Sequence, residues 1–235
     1  MPPTVRLTSL IAVTIALSSA LCLAQDKLMT QGTYIDPDSA LRFTSWSSTP
    51  DADGRGAFTF GMTLLDDAAD KNATDYVGVL IDTTDRKGEN KKQKCQSLSA
   101  NQTGWCGLAH GGSMLRNLLL MAWPHEGRVL TSFRWATDYF KPGVYGGNAT
   151  LTQVTSRVDP RGFEVMYRCG DCLRWSEGAD EGSAGTSAGS LMLGWAQGAD
   201  GPTDAASPEG IDFIFHNNGY GTWRAELEGE VNPSS

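Results

Sequence analysis

What most constrains the fold of this chain is the near absence of a helical period. Apolar residues do not recur at three- and four-residue spacing. They gather in short runs rich in β-branched and aromatic side chains, separated by clusters of Gly, Asn, Asp and Pro. The runs fall at residues 41–45, 57–64, 76–82, 105–109, 118–123, 129–135, 148–156, 162–168, 190–197, 211–215 and 221–227. Turn chemistry lies between them, as in Pro124-His125-Glu126-Gly127 and Asp159-Pro160-Arg161-Gly162. Many short strands with regular turn signals predict an all-β fold, an antiparallel β-sandwich. There is neither an internal repeat nor a linker, so residues 25–235 read as a single domain.

Residues 1–24 carry one positive charge (Arg6), a short apolar run and small residues at the outer positions of Cys22-Leu23-Ala24. This is the pattern of a secretory signal peptide, with cleavage expected before Gln25. The run is too short to span a bilayer, and no second one follows, so a secreted, extracellular protein with no membrane association is expected. The formal net charge is −8, and losing Arg6 makes the mature chain more acidic still. Such a chain, without a basic stripe, is a poor ligand for nucleic acid. Three sequons, at Asn72, Asn101 and Asn148, suit a glycosylated surface.

Cys22 leaves with the leader, so Cys95, Cys106, Cys169 and Cys172 remain. An even number in an oxidising compartment reads as two disulfides, paired here as Cys95–Cys106 and Cys169–Cys172, with two crossed arrangements as alternatives. The spacing fits no common zinc site. Leu173 follows the CxxC where covalent haem attachment would need His. Three segments resist a strand reading. Residues 83–101 are polar, with Arg86, Lys87, Lys91, Lys92 and Lys94, and are expected to form a solvated hairpin. Residues 175–189 and 199–210 read as long loops, which in a compact domain are usually functional or disordered.

The stretch WCGLAHGGSMLRNLLLMAW, residues 105–123, stands out. Two apolar β-like runs flank Gly111-Gly112-Ser113-Met114, where paired glycines permit a bend and a close approach, and a soft thioether follows at once. No GxSxG, HExxH or phosphate-binding glycine loop is present, and nothing localises a pair of catalytic carboxylates.

Four segments resemble the cytochrome domain of fungal cellobiose dehydrogenases and, more loosely, the immunoglobulin-like DOMON family. They are residues 107–123 (a G-x-x-x-GG-x-M-x-x-x-LLL-x-AW pattern), TSFRWATDY at 131–139, YRCGDCLRW at 167–175, and the closing 211–227. The likeness spans residues 34–227. It implies a β-sandwich whose long loops form a haem-sized pocket at one edge, holding a non-covalent b-type haem between one methionine and one histidine. The methionine after the double glycine is Met114. Two registers place the histidine. Reading back from Ile211-Asp212-Phe213 puts Gly210 at that position, and haem binding is lost. Reading forward from Trp195 puts His216 there, which keeps both the ligand and an aromatic-glycine strand, and this register is favoured. The resemblance also places Tyr139 near a haem propionate, and Arg134 suits the same end because a guanidinium pairs with carboxylates.

Iron held by Met and His on opposite faces has no vacancy for substrate, so it passes single electrons. The expected role is electron transfer rather than catalysis. The resemblance implies an external flavin dehydrogenase as donor, and a copper polysaccharide monooxygenase or ferric iron as acceptor. No flavin-binding domain follows in the sequence, so a stand-alone cytochrome is expected. The alternative is a haem-free sandwich binding a carbohydrate or small hydrophobic ligand, with an accessory role in secondary metabolism as one form of it. Of the other histidines, His110 shares its pleat face with Leu108 and reads as a hydrogen-bonded core residue. His125 reads as a surface turn residue.

Overall fold

The computed structural model describes residues 29–51, 56–64, 74–83, 104–160, 162–213 and 215–227. The leader, Asn72, Cys95, Asn101 and the basic segment lie outside them or nearly so. In chain order the strands are β1 (Met29–Ile35), β2 (Arg42–Ser48), β3 (Phe58–Thr63), β4 (Tyr76–Thr83), β5 (Trp105–His110), β6 (Leu119–His125) and β7 (Arg128–Trp135). They continue as β8 (Gly143–Val144), β9 (Thr150–Asp159), β10 (Gly162–Gly170), β11 (Arg174–Glu177), β12 (Asp180–Ser183), β13 (Leu191–Gly198) and β14 (Gly219–Ala225). Among the described residues there is no helix.

Two six-stranded antiparallel sheets form, in the orders β1-β2-β3-β4-β10-β9 and β14-β13-β5-β6-β7-β8. Their facing sides share one core. The first sheet contributes Trp46, Phe58, Phe60, Tyr76 and Tyr167, and the second Leu108, Leu120, Leu193 and Trp223. This is the expected sandwich, driven by apolar side chains at every second position. Phe58 stacks on Trp195 across the gap at 5.3 Å.

Three elements depart from the sequence reading. β1 pairs along its whole length with β2 although its polar composition gave no strand signal. Residues 175–189, expected as loop, contain the β11-β12 ribbon, which buries Trp175 against the core. Among the described residues of 211–215, expected as a strand, the pairing is a single bridge between Thr203 and Asp212. Their apolar side chains serve as a cover: Ile211 and Phe213 pack on Trp105, Met121 and Trp123, on the outer face of the second sheet.

Cys169 and Cys172 form a disulfide, as expected. Cys106 is a free thiol buried between the sheets, and Cys95, its expected partner, lies outside the described residues. Strand alternation turns its side chain into the core, and burial pushes the thiol well above its ordinary pKa. Asn148 is exposed, but its side-chain oxygen accepts hydrogen bonds from the Tyr145 hydroxyl (2.9 Å) and the Ser176 amide (2.7 Å).

Candidate functional site

The site starts from the register of two strands. β5 and β13 are neighbours, with Gly107 opposite Ala196 and Ala109 opposite Gly194. Alternation sends Cys106, Leu108, His110, Leu193 and Trp195 inward and these four small residues outward. The outer face of the sheet therefore carries a patch on which no side chain exceeds a methyl group. Over it opens a cleft of about 670 Å³, within the range of small-molecule and cofactor pockets. Three loops wall it.

The first wall is the bend after β5. Gly111 and Gly112 adopt φ values of +92° and +88°, which L side chains rarely reach. The Gly112 carbonyl lies so close to the floor that a Cβ at Gly194 would sit 2.6 Å from its oxygen. The bend is held by Gly111 N–H donating to the Met192 carbonyl (2.8 Å) and by Asn117 Nδ2 donating to the carbonyl (3.0 Å) and hydroxyl (2.9 Å) of Ser113. Met114, half-buried, is thereby presented to the cleft.

The second wall is the loop between β13 and β14. Its ends are drawn together where Ala199 N–H donates to Asn217 Oδ1 (2.8 Å) and Asn218 N–H to the Gln197 carbonyl (3.0 Å). Its middle is pinned to the sheet by Trp123 Nε1 donating to the Ala205 carbonyl (2.9 Å) and by Phe213, edge-on to Trp105 and Trp123 at 5.4 and 5.7 Å. Arg134, opposite Leu119 on β7, lies beneath this loop. Its guanidinium donates to the carbonyls of Pro208 and Glu209 and sits 5.7 Å from the Phe213 ring centroid. Arg134 does not line the cleft, so the expectation that it faces a propionate there is corrected. The carbonyls of the covering loop take its Nη2, while its Nε is buried without a partner. Burial lowers its pKa, and Glu209 offsets part of that.

His216 emerges where this loop returns to β14. Its ring lies 4.1 Å from that of Phe215 and 4.4 Å from that of Tyr220. It lines the cleft, and its Nδ1 is buried without a hydrogen-bond partner. Burial lowers its pKa, with a hydrogen bond to its own backbone opposing, which favours the neutral imidazole. Met114 and His216 thus share one cleft. They stand at opposite ends of the small-residue floor: Gly112 leans on Gly194, and Tyr220, the neighbour of His216, pairs with Ala196. Gly210, the rival ligand position, is tied by its N–H to the Ser207 carbonyl (3.1 Å) and is not a lining residue.

The third wall is the turn after β7, where Tyr139 and Phe140 are each 79% exposed and Lys141 reaches Asp212 at 3.5 Å. Tyr139 lines the cleft. His125 ends β6 at the surface, and His110 lies in the core as anticipated. His110 also belongs to a buried group with Cys169 and Cys172 whose donor atoms lie within 4.8 Å of one another. The two sulfurs are bonded to each other, and both imidazole nitrogens are hydrogen-bonded, to the Tyr76 hydroxyl (2.7 Å) and the Leu118 carbonyl (3.0 Å). That group is committed to structure.

A thioether and a neutral imidazole facing one apolar slot suit a soft or borderline transition metal already held in a flat macrocycle, not a hard cation that seeks oxygen. The orphaned Nδ1 and the side-chain-free floor meet the requirements of such a group. Sequence reasoning missed the floor, Phe215, Tyr220 and Lys141. The signal was present as Gly-Leu-Ala in β5 and Gly-Trp-Ala in β13, small residues at alternate positions of two strands.

Fold and cleft together define an antiparallel β-sandwich with an apolar cleft on one sheet's outer face. A family model described as the cytochrome domain of cellobiose dehydrogenase matches residues 34–234, and the chain belongs to that family. The solved cytochrome domain of cellobiose dehydrogenase from Myriococcum thermophilum is 40% identical, with a TM-score of 0.74 over 86% of this chain and 91% of that one. The cytochrome b domain of pyranose dehydrogenase from Coprinopsis cinerea shares the fold at 22% identity and a TM-score of 0.60, covering 83% and 88% of the two chains. A curated relative from the same organism, a pyrroloquinoline quinone-dependent pyranose dehydrogenase, is 40% identical over 93 residues. That match takes in 40% of this chain and 12% of the relative's length.

Proposed function

We propose that the protein is a secreted b-type cytochrome domain, with Met114 and His216 as the axial ligands of a non-covalent haem. The observation that carries this reading is the pairing of Met114 with a buried, unpartnered His216 nitrogen across one cleft. Haem iron bound by methionine and histidine supplies reversible one-electron transfer, and the thioether raises its potential. Met114 contributes a neutral, soft donor on a bend that the two glycines hold against the floor. His216 contributes a neutral imidazole steadied by the rings of Phe215 and Tyr220. The small floor would leave room for a planar group, with Phe215 and Tyr220 beside it. Tyr139 offers a phenol donor at the open side.

The role is electron carriage rather than catalysis by the chain itself. The relatives' names support a sugar dehydrogenase as donor. A copper polysaccharide monooxygenase or ferric iron fits as acceptor for single electrons. Glycosylation at Asn72, Asn101 and Asn148 goes with the proposed secretion.

The test is a reduced-minus-oxidised visible spectrum of the purified chain reconstituted with haem. Sharp low-spin b-type bands are expected, and both Met114→Ala and His216→Ala should abolish them. Bands that survive His216→Ala would require a different axial partner. A chain that yields no Soret band on reconstitution would be a haem-free ligand-binding sandwich.

A further inference from the structure

We propose that Lys141 is the recognition cation for the acidic edge of the cleft's occupant, and that it takes this role by exchanging Asp212 for a ligand carboxylate. The inference rests on the haem reading and extends it to a residue that selects among porphyrins. Among the described residues that line the cleft, none carries a carboxylate, and Lys141 is the one with a permanent positive charge. On a chain of net charge −8 this makes the cleft a local refuge for an anion.

The other nearby cations are spoken for. The Arg134 guanidinium donates to two loop carbonyls, and Arg116 pairs with Asp180 at 2.7 Å; neither lines the cleft. Lys141 is held loosely by comparison. Its ammonium lies 3.5 Å from Asp212, with the two side chains 46% and 54% exposed. A pair so exposed is weak, and a second carboxylate entering the cleft competes with Asp212 on nearly equal terms. Asp212 stands four residues before His216 on the same covering loop, so Lys141 bridges two of the three walls. The ligand class that follows is a planar apolar body bearing free carboxylates, in preference to its neutral ester.

The experiment titrates the apo form of the full chain with ferric haem and, separately, with ferric haem dimethyl ester. Soret absorbance and quenching of tryptophan fluorescence, Trp105 and Trp195 lining the cleft, report binding. Lys141→Met should weaken haem binding about threefold to fivefold and leave the ester unchanged. Asp212→Asn should free Lys141 and tighten haem binding by a similar factor, again without effect on the ester. Raising the salt concentration should erase both differences. Equal effects of Lys141→Met on the two ligands, or no effect on either, would overturn the proposal while leaving the haem reading intact. Failure of the unsubstituted chain to bind either porphyrin would overturn the haem reading, and this proposal with it.

Discussion

His110 is a residue whose protonation the fold dictates. Its Nδ1 faces the Leu118 carbonyl and must carry the proton, so Nε2 accepts from the Tyr76 hydroxyl, whose oxygen in turn accepts from Tyr167 at 3.1 Å. Burial drives the imidazole pKa down to about 4. The unfolded chain binds that proton more readily, so the stabilising contribution is complete above pH ~6.5 and is lost as pH falls towards 4. The loss should be on the order of 3 kcal/mol across that window. Urea denaturation at a series of pH values checks this, with His110→Gln flattening the slope. An unchanged slope would show that other groups dominate acid sensitivity.

The loop between β13 and β14 depends on a single buried cation. Arg134 is 1% exposed and donates to consecutive carbonyls of a segment without ladder hydrogen bonds of its own. Charge-assisted bonds of this kind contribute more than neutral ones, and their loss strands two acceptors. Arg134→Met should cost about 2 kcal/mol. Hydrogen exchange should accelerate at Ile211 and Asp212, whose N–H groups are held within the loop. Amides of β10, paired on both sides by β4 and β9, should keep their protection. Arg134→Lys restores the charge but not the planar guanidinium whose one terminal nitrogen, Nη2, meets both carbonyls, so recovery should be partial. Uniform loss of protection over the whole chain would refute the view that Arg134 acts as a latch for the segment that delivers His216.

Across the whole molecule, the core and the cleft occupy opposite faces of the same sheet. Trp195 shows the economy of this arrangement: its ring stacks on Phe58 in the core while its strand forms part of the cleft floor. A ligand gripped by loops on that sheet is coupled to the global fold. At free haem a hundredfold above Kd, the unfolding free energy should rise by about 2.7 kcal/mol. Thermal denaturation with and without haem measures it, and an unmoved midpoint would mean that the ligand does not distinguish folded from unfolded chain.

Much of this was legible beforehand. The period of two and the turn residues dictated a sandwich because they are local properties, read within six or seven residues. Met114 was legible because a double glycine announces its bend. Residues 211–215 misled because a segment that covers a sheet is as apolar as a strand within one, and nothing local tells them apart. β11 and β12 were hidden because their largely charged and polar composition, RWSE and DEGS, carries no strand signal. Arg134 misled for a related reason: a guanidinium suits carboxylates and carbonyls alike, and only the fold of the covering loop selects between them.

The sequence by itself determined an all-β chain, a glycine bend with its thioether, and a cysteine pair three residues apart. The tertiary structure alone decided that Gly107 and Ala109 meet Gly194 and Ala196 across a ladder, that Phe215 and Tyr220 flank His216, and that Lys141 supplies the cleft's charge. The physical reason is that pairing between strands far apart in the chain follows from how the core is filled. A site laid on the opposite face of those strands inherits its geometry from that packing.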